Sequence, residues 1–184
     1  MSDPDVPDQV VGMMNIMLAC LSDAVSTRLN PPANVCFRVG DLVAWDADVY
    51  TDMCCQGLAY VSLGEIYPAD DLLSRQLSAT RQTARSCPFP AWAMVMKVGI
   101  VRCAPVGTST TMPTCDDWNS AAAQNMADAA ALREASCCFR SYWTNTGDPG
   151  MDVLINTQVQ VSPQGGCMER YVTVTAQFAN CEAC

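Results

Sequence analysis

The chain has 184 residues, half of them hydrophobic, and ten Lys and Arg against nineteen Asp and Glu give it a formal charge of −9. That length and apolar content fit one domain with a core of ordinary size and exclude a disordered tail. The acidic balance argues against binding a phosphate backbone, which needs clustered Lys and Arg.

Met1-Ser2-Asp3-Pro4-Asp5 has neither the basic nor the apolar region of a secretory signal. No apolar run reaches the roughly eighteen residues of a bilayer crossing. The expectation is therefore synthesis in a cytoplasm and no membrane. Between Asp8 and Leu29, Val10, Met13, Met14, Met17, Leu18, Leu21 and Val25 recur at three- and four-residue spacing. They predict a helix with a Met-rich core stripe. Asp3, Asp5 and Asp8 lie at its start, where the helix dipole favours acids, and Asn30-Pro31-Pro32 ends it. Val35 to Val39 predicts a short strand turned by Gly40-Asp41. Residues 42–50 suit another short strand or an irregular edge, and Cys55 to Ile66 a further strand. Residues 68–90 break the pattern and end in Cys87-Pro88-Phe89-Pro90. A polar connection this long inside a small domain is usually functional or disordered.

Trp92 to Cys103 is the clearest strand. Trp92, Met94, Met96, Val98 and Ile100 alternate with Ala93, Val95, Lys97, Gly99 and Val101. Both sets are largely apolar, which predicts a central strand covered on both faces. A second helix is predicted from Asp116 to Trp143, with Thr114 as N-cap and Asp116 and Asp117 in the first turn. Trp118, Ala122, Met126, Ala129, Arg133, Ser136, Phe139 and Trp143 form a near-heptad stripe along it, and the Ala-rich run at 121–131 allows close approach to a sheet or helix. After a turn at 145–150, Val153 to Ser162 and Tyr171 to Ala179 alternate as a hairpin with one apolar and one polar face. Pro163-Gln164-Gly165-Gly166 makes its turn, and Cys167 to Arg170 continues the connection. This order implies an α+β, two-layer domain spanning residues 1–184. A mainly antiparallel sheet is covered by an N-terminal helix and a second long helix, with a long connection or insertion at about 68–90.

Charge is arranged in blocks. Residues 1–71 carry eleven acids against Arg28 and Arg38. Residues 72–112 carry Arg75, Arg81, Arg85, Lys97 and Arg102 and no acid, and residues 113–184 carry eight acids against Arg133, Arg140 and Arg170. Such blocks either place unlike charges across a subunit interface or mix on one folded surface.

Twelve Cys without a secretory signal predict mostly free, buried thiols, with Cys20, Cys36 and Cys103 set in apolar patterns as small hydrophobes. One or more disulfides, or a bound metal, are the alternatives, and a chain made reduced could oxidise later, outside the cell. Cys54-Cys55 and Cys137-Cys138 are neighbours, and a bridge within such a pair is strained. Cys181-Glu182-Ala183-Cys184 is one C-x-x-C with no second pair at knuckle spacing and no His to complete a zinc site.

The chain contains no His, the commonest general base, and neither G-x-x-x-x-G-K-[ST] nor G-x-G-x-x-G. Asp46-Ala47-Asp48 and Asp70-Asp71 lack the Gly and distal Glu of a calcium loop and read as solvated acids. Cys115 opens a helix but sits beside Asp116 and Asp117, which disfavour a thiolate. The expectation is a protein that is not an enzyme, holds no metal or cofactor, and works by packing against other subunits.

One stretch carries a family resemblance. Val159-Gln160-Val161-Ser162-Pro163-Gln164-Gly165-Gly166-Cys167, followed by Tyr171-Val172-Thr173-Val174-Thr175-Ala176-Gln177, resembles the end of tail-terminator proteins of long-tailed actinobacterial phages. There a Pro-x-Gly-Gly-Cys turn leads into a Thr-Val-rich last strand. The 92–103 strand and the Asp/Ala-rich helix after it are similar in position, so the likeness covers about residues 91–179. Met168-Glu169-Arg170 and the high Cys content depart from the pattern, which leaves other neck or tail-tube roles open. The resemblance implies a virion protein made in the host bacterial cytoplasm. It implies a homo-hexameric ring that ends the tail tube, contacts the tail-tube protein and a head-side connector or stopper, and lets DNA pass through its lumen without specific binding. Arg75, Arg81 and Arg85 of the basic connection, with Gln164, Gly165 and Gly166 of the hairpin turn, are the candidate interface residues. A disulfide-stabilised, Cys-rich binding domain is the competing expectation from another class.

Overall fold

Every fourth or third residue of the N-terminal segment is apolar, and that line becomes the buried face of helix α1 (Val6–Ser26). Met13, Met17 and Leu21 are fully buried, and Val10, Cys20, Ala24 and Val25 nearly so. The helix stops where Asn30 takes a left-handed φ of 54°, a conformation Asn tolerates, ahead of two prolines that cannot donate. These positions come from a computed structural model, which describes residues 6–39, 55–69, 91–105, 107, 111–146, 152–164 and 166–179.

Six strands follow the order β1-β2-β3-β6-β4, with β5 also on β6. Strand β1 (Asn34–Val39) runs parallel to β2 (Leu58–Pro68), and every other pairing is antiparallel. Strand β3 (Ala91–Cys103) lies between β2 and β6 (Cys167–Ala179). Its Met94, Met96, Val98 and Ile100 set faces the helices, and Ala93, Gly99 and Val101 on the reverse are buried too. The two-faced apolar pattern did mark a central strand.

The hairpin differs from expectation in its outer half. Residues 153–162 form two short pieces, β4 (Val153–Ile155) and β5 (Val159–Gln164), which lie end to end along one edge of β6. Asn156 N donates to Thr173 O and Gln158 Nε2 to Ala129 O, so the break between them is pinned to strand and helix. Cys167 to Arg170, read as connection, opens β6 instead, because Gly166 at φ 80° turns the chain tightly enough for Gln164 to pair with Cys167.

Helix α2 (Cys115–Thr146) has 32 residues, about 48 Å at 1.5 Å per residue. Its start is reciprocally capped. Asp117 N donates to Thr114 Oγ1, and Thr114 N and Oγ1 donate back to Asp117 Oδ2. The Thr114 amide, then its hydroxyl, hold the Asp117 carboxyl below its ordinary pKa. A depressed folded pKa contributes stability above the ordinary value and loses it as pH falls through the folded one. The cap therefore acts at neutral pH and fades in strong acid. Thr114→Ala should cost about 1 kcal/mol in urea titrations at pH 7, and the gap from wild type should narrow below pH 3.8. An unchanged gap in acid would remove Asp117 from the cap's energetics.

Both helices cover one face of the sheet. Ala131, Leu132, Ala135 and Phe139 of α2 join the α1 stripe, Ala59 and Val61 of β2, and Val172, Val174, Ala176 and Phe178 of β6 in one core. Trp143 Nε1 donates to Gln177 O, tying the end of α2 to β6, and Arg28 after α1 pairs with Glu134 of α2. Gln9–Ser26 is long and apolar enough by length and composition to cross a membrane, which corrects the expectation that no run reaches that length. In this fold its Met13, Met17 and Leu21 face is core.

The thiols also differ from expectation. Cys20 is bonded to Cys138 and Cys55 to Cys103, and Cys167 is disulfide-bonded as well. The free cysteines among the described residues, Cys36, Cys115 and Cys137, are exposed rather than buried. An apolar sequence context suits a half-cystine as well as a buried thiol, and the pattern could not distinguish them. The Cys181–Cys184 pair lies outside the described residues.

Candidate functional site

Two of the five cations in the basic block are spent inside the fold. On the sheet face away from the helices, Lys97 Nζ lies 3.1 Å from Glu169 Oε1 and 4.3 Å from the Tyr171 ring centroid. Tyr60 OH also donates to Glu169, and Arg38 stacks over the Tyr60 ring at 5.3 Å. Tyr60 and Glu169 are 2% and 5% exposed, so this is a buried polar cluster. It is possible because residue 99 is Gly. A Cβ there would sit 2.7 Å from Tyr60 ring atoms. Gly99→Ala should displace the ring, loosen the Tyr60–Glu169 bond and cost about 1–3 kcal/mol in chemical denaturation. A wild-type unfolding midpoint would show that the ring has room to move.

At the end of β3, Arg102 Nε and Nη2 grip Asp128 of α2 at 3.0 and 2.9 Å, and Gln124 Nε2 adds a third bond at 3.3 Å. Gly57, with φ 85°, lets the β2 entry pass against the guanidinium, where any Cβ would overlap it. Beside the pair, a cleft of about 410 Å³ is lined by Asn30, Arg102, Asp117, Gln124, Met168 and the Cys55–Cys103 disulfide.

The hairpin turn meets this same end of the sheet. Ala104 N donates to Gly166 O at 2.8 Å, so the turn is tied to the chain leaving β3. Of the candidate interface residues, Gln164 closes β5 and Gly166 forms the turn. Arg75, Arg81, Arg85 and Gly165 lie outside the described residues, as do Asp46-Ala47-Asp48 and Asp70-Asp71.

The α2 stripe divides in two. Ser136 and Phe139 are buried, but Trp118 is 51% and Met126 68% exposed, and Ala122 between them is exposed too. The near-heptad pattern is continuous, whereas the layer beneath it is not. On the neighbouring flank, Asn125 bonds Gln160, and Arg170 reaches both Asn125 Oδ1 and Gln160 Oε1, joining α2 to β5 and β6. The Trp118–Met126 line takes no part in that network. Its signal in the sequence was the stripe itself.

No model of a known protein family matches the chain, and no curated protein gives a significant match. The class that stands on the structure is an α+β arrangement, among the described residues two long helices on a mixed six-stranded sheet.

Proposed function

We propose that this chain is a non-enzymatic virion protein of the tail-terminator type, one subunit of a ring that closes the head-proximal end of a phage tail tube. The observation that carries the reading is the hairpin. The Pro163–Cys167 turn opens the thirteen-residue strand β6, inside the element order of helix, strands, central strand, long helix and hairpin. The sheet's geometry suits a closed ring. Among the described residues β1 pairs only with β2, and β4 and β5 only with β6. The two edges run in opposite directions, so β1 of one copy can meet β5 of the next as an antiparallel pair. A contact between two different surfaces repeats from subunit to subunit and gives a finite ring when its rotation closes. The net charge of −9 suits a lumen through which DNA slides without sticking.

Light scattering of the purified chain, with particle images of the chain added to tail tubes, tests this. The expected result is a ring that caps tubes at one end. A chain that stays monomeric at high concentration and never adds to a tube would end the proposal.

The disulfides favour a second reading, a Cys-rich binding domain of an oxidising compartment. Thiol titration under denaturant, on chain alkylated at lysis, separates the two. Near twelve free thiols excludes a scaffold that needs its disulfides to be made, whereas a virion protein oxidises after release.

A further inference from the structure

We infer that the Cys55–Cys103 disulfide is a thiol-exchange site, opened by a small-molecule thiol that enters the neighbouring cleft, with Cys167 as the sulfur that resolves the exchange. The bridge lines the cleft of about 410 Å³ together with Arg102, Ser120 and Gln124. Cys55 is exposed and Cys103 half-buried, so an incoming thiolate meets the Cys55 sulfur first. The leaving sulfur, Cys103, stays at a cleft wall shared with Arg102. The Cys20–Cys138 bridge is protected in both directions. Cys20 is 6% exposed within the α1 core, so its sulfur is screened from attack, and attack at Cys138 would expel the Cys20 thiolate into apolar surroundings.

Strand register supplies the third sulfur. Cys103 and Cys167 are directly opposed in the β3–β6 pairing, and Cys103 packs into the cluster that holds Cys167. Ala104 N donates to Gly166 O at 2.8 Å, which makes Cys103 and Cys167 a non-hydrogen-bonded pair. In such a pair the Cα atoms lie about 4.5 Å apart with both side chains on one face, within the span of a disulfide. Cys167 already holds a further disulfide. The external thiolate bonds to the Cys55 sulfur, and Cys103 leaves as a thiolate. Cys103 then bonds to the Cys167 sulfur, and the half-cystine bonded to Cys167 leaves, taking up the proton that the external thiol released. The number of disulfides is unchanged, so no oxidant is needed. The cross-link moves from the β2 entry to the β3–β6 pair. Gln56 O and Gly57 O accept bonds from Ala33 N and Asn34 N at 3.0 and 3.3 Å, so releasing Cys55 loosens the entry of the edge strand β1. The inference does not rest on the ring reading.

Oxidised native chain, its exposed Cys36, Cys115 and Cys137 first alkylated, is treated with cysteamine, quenched in acid and mapped by mass spectrometry. The expected order is cysteamine on Cys55, then a linked Cys103–Cys167 peptide, with Cys20–Cys138 opening about tenfold more slowly. Amide exchange at Ala33 and Asn34 should quicken in step with the first product. Ser120→Trp, at an exposed position of α2 that lines the cleft, should slow the opening of Cys55–Cys103 by about threefold and leave that of Cys20–Cys138 unchanged. Cys20–Cys138 opening first or equally fast would overturn the site. An unchanged rate in Ser120→Trp would overturn the cleft as its route. Cysteamine on Cys55 with no Cys103–Cys167 link would overturn Cys167 as the resolving sulfur.

Discussion

Arg102→Leu should lower the unfolding free energy in urea by about 3–5 kcal/mol, while the double change Arg102→Leu with Asp128→Leu should recover much of that loss. The reason is the asymmetry of a buried ion pair. Asp128 is 3% exposed and Arg102 8%, and the two share two charge-assisted hydrogen bonds. Bringing both charges out of water costs nearly what their attraction returns, so the pair as a whole is a weak source of stability. Removing the cation alone leaves a carboxylate whose remaining donor is Gln124 Nε2 at 3.3 Å. That carboxylate cannot be resolvated without opening the α2–β3 contact. Replacing both groups removes the penalty together with the attraction. Equilibrium titrations of the two singles and the double form a cycle that isolates the coupling. An Arg102→Leu chain within about 1 kcal/mol of wild type would mean that water reaches Asp128 through the neighbouring cleft.

This pair also shows where sequence reading ends. Arg102 read as one cation of a basic block and Asp128 as one acid of a helix, because 26 residues separate them and neither sits in a motif. The same holds for Tyr60 and Glu169, 109 residues apart, whose meeting depends on the pairing of β2 with β3 and β3 with β6. What was legible is what local periodicity controls. The Met13–Met17–Leu21 stripe, the doubly apolar β3 and the Thr114 cap each state their structure within a few residues.

The stripe on α2 marks the boundary between the two kinds of information. Periodicity showed that Trp118, Ala122, Met126, Ser136 and Phe139 fall near one line. It could not show that the sheet stops covering that line before Met126. The break at 156–158 was hidden for a related reason. Strict alternation from Val153 to Val161 is satisfied by one strand, and only the Gln158–Ala129 and Asn156–Thr173 bonds divide it. The hairpin turn was the reverse case. Pro163-Gln164-Gly165-Gly166 announced a turn but not its tightness, which Gly166 at φ 80° allows and which brings Cys167 into the strand opposite Gln164.

The other large effect is expected from the cysteines. Replacing Cys20 and Cys138 together by Ala should cost about 4–5 kcal/mol against the oxidised chain, because the bridge closes a loop over 118 positions of sequence and removes that freedom from the unfolded state. The Cys55–Cys103 bridge spans 48 positions inside that loop, so the two contributions are not independent. With the outer loop closed, the inner bridge has less unfolded freedom left to remove. The figure of about 4–5 kcal/mol for the outer bridge is therefore an upper value while the inner one is intact, and breaking both should cost less than the two loop-closure values added. Cys20 is 6% exposed beside Leu21 and Ala24, and Ala there leaves only a small void, so most of the cost should be lost constraint rather than lost packing. The native fold should survive reduction, because α1 and α2 remain joined through the shared core and the Arg28–Glu134 pair. Circular dichroism of reduced chain should then match oxidised chain at zero denaturant, with an earlier urea midpoint. If the ring we propose assembles in a reducing cytoplasm, reduction would set the state in which its subunits meet. Subunits would meet in the less stable, more adaptable state, and oxidation after release would constrain an assembly already formed. Equal midpoints for reduced and oxidised chain would remove that role from the bridge. Loss of helical signal on reduction would instead make the disulfides a condition of folding, which a cytoplasmic assembly protein could not meet.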